Sequence, residues 1–118
     1  MPDPRPLSEL LEEGRALFNG GRFFEAHERW EEAWLVETGA RKLLLQGLIQ
    51  IAAGFLKATQ GRHLAAARLL EAGARRVEDS GAGEELAGFL AEVRERTEKP
   101  GESAPGDASA PLLPRFRA

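Results

Sequence analysis

The chain contains no cysteine, one methionine, one asparagine, and three lysines against thirteen arginines. Without cysteine, disulfides and thiolate metal sites are excluded, and a cytoplasmic location is expected. Long hydrophobic runs are missing too. The longest apolar stretch, Leu43–Leu56, contains two glutamines and is too short to span a bilayer. There is no basic arm and no interleaving of aromatic with basic residues. The net charge is −3, so no general attraction to nucleic acid is expected. The N-terminal stretch MPDPRPLSELLEEG is acidic and proline-rich, unlike a signal peptide. The preference for arginine, with few thermolabile residues, suits either a GC-rich genome or a hot environment.

What remains is enough for one domain with a real core: 118 residues, 42% of them hydrophobic. Helical periodicity predicts about five helices in antiparallel hairpins, a single all-α bundle over residues 1–98. Ser8 is expected as the first N-cap, ahead of a stripe of Leu10, Leu11, Gly14, Leu17 and Phe18. Asn19-Gly20-Gly21 stops that helix. The second is expected over Arg22–Glu37 and the third over Arg41–Gln60. The third is apolar almost all round and therefore belongs at the centre. The fourth is placed at Arg62–Asp79 with Leu64, Ala67, Leu70, Ala74 and Val77 inward. The fifth is placed at Glu84–Glu98 with Leu86, Phe89, Leu90 and Val93 inward. Residues 99–118 are rich in Pro, Gly, Ser and Ala and cannot build a core. Their apolar end, Leu112, Leu113 and Phe116, is expected to dock on this subunit or a neighbour.

The densest aromatic stretch is Phe23–Trp34, FFEAHERWEEAW. At about 100° per residue, Phe23, Trp30 and Trp34 fall on one line and both tryptophans are expected in the core. Glu25, Glu28, Arg29 and Glu32 face water. His27 breaks the pattern by lying within the apolar arc, and Glu31 lies on its shoulder beside Phe24. The two are one turn apart, so their side chains can touch or grip one ligand.

The spacing His27, Glu31, Trp34 is HxxxExxW. Together with FNGGRFFEAHERWEEAW and LLLQGLIQIAAGFLK it resembles the domain of unknown function 309 family over roughly Leu11 to Leu70. That resemblance implies a small helical protein whose motif is associated with metal binding. The residues themselves leave three readings open. His27 and Glu31 are a hydrogen-bonded structural pair, or two ligands of a zinc, manganese or iron ion, or part of another small-ligand site. A metal needs more ligands, and Glu28, Gln46 and Gln50 are the nearest suppliers. HERWE lacks the second histidine of HExxH, so a zinc-protease reading is rejected. In an enzyme, the motif would point to metal-assisted hydrolysis.

Gln46, Gln50, Ala53 and Lys57 form one line on the third helix. They are either a solvated stripe or the far wall of a cavity shared with His27, to which Arg41 would add positive charge. Gly47 and Gly54 lie beside that line, where another backbone could approach. A repeat also runs through the chain. Gly21-Arg22-x-Phe24-x-Ala26 returns forty residues on as Gly61-Arg62-x-Leu64-x-Ala66. This resembles tetratricopeptide hairpins, and the rival function is an interaction module that binds a peptide or forms a homodimer.

Overall fold

Two glycines set the centre of the molecule. Gly47, on a helix spanning Gly39–Thr59, meets Gly73, on a helix spanning His63–Val77. A Cβ on either glycine would lie 2.7 Å from the carbonyl oxygen of the other. The computed structural model describes residues 6–98 and 110–116. Its helices are α1 (Leu7–Asn19), α2 (Phe23–Trp34), α3 (Gly39–Thr59), α4 (His63–Val77) and α5 (Ala87–Glu98), with a kinked turn over Glu78–Ala82 between the last two. The described residues contain no strand, and the fold is an all-α bundle of five α-helices. As its composition requires, α3 is the centre, with α2 packed on one side and α4 on the other. Phe18 joins the layers. Its ring packs against Phe23 of α2, Phe55 of α3 and Phe89 of α5 at 5.3–5.8 Å.

The forty-residue repeat is visible as geometry. The turn after α1 and the turn after α3 have the same hydrogen bonds: Arg22 N–H to Leu17 O, and Arg62 N–H to Lys57 O, both 2.9 Å. Gly21 and Gly61 stand at φ 80° and 76°, the left-handed region that glycine enters without strain. Arg22 and Arg62 open the next helices at φ/ψ −94°/70° and −92°/73°. Each copy is a helix, this turn and a second helix.

Several expectations need correction. Ser8 is not the cap. Pro6, with φ already at −58°, precedes the first helical residue, and its carbonyl accepts from Glu9 and Leu10. In α4, Leu64 is 71% exposed and Ala67 only half-buried; Ala66, Leu70, Gly73, Ala74 and Val77 are buried. The close approach of Gly73 to α3 rotates the buried line away from Leu64. Trp30 is fully buried, whereas Trp34 is only partly so. Trp34 ends α2, and the Lys42 ammonium lies 4.2 Å from its ring centroid. Helix α5 begins three residues later than expected, because the kink at Gly81 (φ 96°) and the turn after it consume the preceding residues. Of the apolar end of the chain, Leu113 is buried and Phe116 packs partly on the core, while Leu112 is 71% exposed. The expectation for residues 99–109 lies outside the described residues.

Arg94 ties α5 to α4. Its guanidinium donates to both carboxylate oxygens of Glu78 at 2.8 Å and to Glu71 at 3.3 Å. The Arg94 hydrogen bonds hold Glu78 below the usual carboxylate range. A depressed carboxylate stabilises the fold above its unfolded pKa, and that contribution is lost as the pH falls through the folded value. The pair is partly exposed and screened, so its worth is below about 1 kcal/mol. Urea unfolding should therefore show wild type modestly above Arg94→Ala at neutral pH. The gap should close at a pH below the carboxylate range.

Candidate functional site

The turn-forming residues Gly21 and Arg22 start α2 so that Phe23, Ala26, Trp30 and Ala33 are buried. The two shoulders of that buried line have different neighbours. Arg29 lies on the α1 side, 3.9 Å from Glu13. His27 and Trp34 lie on the other shoulder, toward α3, where Lys42 covers Trp34. Two contacts fix the register of this antiparallel pair: Phe23 stacks on Phe55 at 5.7 Å, and Trp34 meets Lys42. Each residue rises about 1.5 Å along a helix. His27, four residues on from Phe23, therefore stands level with Gln50 and Ile51.

At this level the polar residues gather. His27 Nε2 is 3.4 Å from Glu31 Oε2, and the two side chains are 29% and 51% exposed. Phe24, half-exposed, stacks its ring on the His27 imidazole at 6.1 Å. His27 Nδ1, and separately Trp34 Nε1 on α2 and Gln50 Oε1 on α3, are buried without a hydrogen-bond partner among the described residues. Buried polar atoms are rarely left so. Gln46 and Lys57 are partly buried on either side of Gln50, along the same outer line of α3.

Other candidates fall elsewhere. Glu28 is exposed, and among the described residues no group of three His, Cys, Asp or Glu converges as a metal site. Arg41 does not join His27. It lines a cavity of about 450 Å³ with Leu7, Ser8, Leu11, Leu44, Leu45, Glu85 and Phe116. The reason is helical phase: Arg41 precedes Leu44, Leu45 and Leu48 on the inward line of α3. Lys42 was missed by sequence reasoning, since a lone lysine beside an apolar run reads as surface.

The family described as Domain of unknown function (DUF309) matches residues 11–69, half of the chain. The chain belongs to that family. The matched DUF309 region runs from α1 into α4 and holds the whole His27–Glu31 seam. Helix α5 and the C-terminal segment lie beyond it. No curated protein and no solved structure matches the chain. Among the described residues, no helix of this DUF309 protein is long and apolar enough to cross a membrane.

Proposed function

We propose that this DUF309 protein is a small-ligand-binding module whose site is the α2–α3 seam, and that a divalent cation is the ligand His27 and Glu31 take together. The separation of 3.4 Å between His27 Nε2 and Glu31 Oε2 carries this reading. It is longer than a good hydrogen bond. It equals the edge of a tetrahedron, about 3.4 Å, around an ion bound by N and O at about 2.1 Å. The pair thus fits two corners. The outward exposure of both side chains leaves the other corners to solvent or to a ligand brought with the ion. Zinc, manganese and iron all accept this N/O set.

With Nε2 committed, the imidazole proton sits on Nδ1 and needs an acceptor to hold the ring. Gln50 Oε1, unpartnered and level with His27 on α3, is suited to that role. Trp34 Nε1, an unpartnered donor in the same seam, is suited to an oxygen of the accompanying ligand.

Thermal unfolding with excess zinc or manganese, and with chelator, tests the reading. A ligand at a hundred times its Kd stabilises by about 2.7 kcal/mol. For a chain of this size that is a rise in Tm of roughly 10 °C. The rise is expected in wild type and should vanish in His27→Ala and Glu31→Gln. In chelator, Glu31→Gln should stay within about 1–2 kcal/mol of wild type. A wild-type Tm indifferent to every addition ends the metal reading. A second reading, a helical-hairpin interaction module, is favoured by the duplicated turn geometry of the two hairpins.

A further inference from the structure

The C-terminal segment is held on a different face from the His27–Glu31 seam. Leu113 buries its side chain in the core cluster, and two residues of α1, Asn19 and Arg15, bond its backbone. Asn19 Oδ1 accepts from the Leu113 N–H at 2.8 Å, and Asn19 Nδ2 donates to the Leu113 carbonyl at 3.1 Å. Arg15 Nη1 adds a second donor to that carbonyl at 3.3 Å. Arg15 is in turn held by Glu12 through its Nε at 2.9 Å. Both backbone groups of one residue are thus satisfied by one side-chain amide, as a neighbouring strand would satisfy them.

The segment is built for this. Leu113 precedes Pro114, which pushes it toward extended backbone. Pro111 and Leu113 are buried while Leu112 between them is exposed, the alternation of an extended chain. The recess continues past the occupant. The cavity of about 450 Å³ lined by Leu7, Leu11, Arg41, Glu85 and Phe116 is space the segment borders without filling. Residues 99–109 tether the segment to α5; eleven residues span at most about 40 Å.

We propose that this α1 recess is a peptide-recognition site for an extended partner segment with leucine before proline, and that the chain's own tail is its tethered occupant. The Asn19 clamp reads backbone, so any chain of that chemistry can take the same bonds. The tail is covalently attached, so its binding is intramolecular. A partner segment must outcompete it, and it does so by reaching into the cavity beyond Phe116. The site does not depend on the metal reading, since it shares no residue with the seam.

The test uses the full chain and a fluorescent peptide of the sequence Ala110–Phe116. Leu113→Ser removes the tail's anchor. The labelled peptide should bind this variant at least tenfold more tightly than wild type. Adding Asn19→Ala should weaken that binding about tenfold. Equal binding to wild type and Leu113→Ser, or no binding to a folded Leu113→Ser chain, overturns the proposal. If Leu113→Ser does not fold, a protease site placed within residues 99–109 and cut in the folded wild type replaces it. Excess labelled peptide should then exchange for the severed tail, and failure to exchange overturns the proposal. Concentration-dependent dimerisation that Asn19→Ala abolishes would assign the recess to the tail of a second copy and overturn the partner reading.

Discussion

Trp30→Ala should lower the free energy of unfolding by about 3–5 kcal/mol, the range of large buried aromatics. Trp30 is fully buried on α2 and lies 5.9 Å from Phe18, which itself packs on Phe23, Phe55 and Phe89. Its Nε1 donates to the Leu11 carbonyl at 3.3 Å. Gly14 on α1 has no Cβ because the indole occupies that space. Truncation would leave a cavity against α1 and remove the indole donor from the Leu11 carbonyl. Helices cannot close such a gap without losing contacts elsewhere, so little relaxation is expected. Trp34→Ala should cost clearly less, because that ring is partly exposed under Lys42. Denaturant unfolding of both variants measures the difference. A Trp30→Ala loss below about 1 kcal/mol would be the behaviour of a surface residue.

Gly73→Ala should destabilise by about 2–3 kcal/mol, although alanine is the better helix former by about 1 kcal/mol. A Cβ at Gly73 would lie 2.7 Å from the Gly47 carbonyl oxygen, 2.7 Å from Ile51 Cγ1 and 3.0 Å from the Ile51 nitrogen. Two of those atoms are backbone and cannot rotate away. The α3–α4 pair must therefore separate. Gly88 is the control. It lies exposed in α5, and a Cβ added there would meet nothing within 4 Å. Gly88→Ala, in the first turn of α5, should stabilise by about 0.4–1 kcal/mol. Urea unfolding of the two variants should give opposite signs. The same sign for both would mean that α3 and α4 do not approach as closely as described.

Much of this was legible in the chain because it depends on local periodicity. A helix apolar almost all round belongs in the middle, and α3 is there. Glycines beside the glutamine line of α3 announced a close backbone neighbour, and Gly47 has one in Gly73. The adjacency of His27 and Glu31 follows from one helical turn. The misreadings come from phase and from distance along the chain. The inward line of α4 is set by its contact with α3, so counting apolar residues put Leu64 inside when it is exposed. Arg41 stands on the inward line of α3, away from the outward glutamines. Asn19 read only as a helix stop, because its partner Leu113 is 94 residues away and no repeat or spacing connects them.

The central claim is that His27 and Glu31 act as two ligands of one cation. Two-bond proton–nitrogen NMR of the imidazoles in the full-length protein tests it most directly, with His63 as the internal control. On addition of excess zinc, His27 Nε2 is expected to move to a metal-bound shift while Nδ1 carries the proton, with His63 unchanged. Glu31→Gln should raise the zinc concentration needed for that response by about tenfold or more, since even outer-shell losses weaken metal affinity about 10–100-fold. An imidazole of His27 that keeps its free tautomer pattern in excess zinc, or that responds no differently from His63, would contradict the claim.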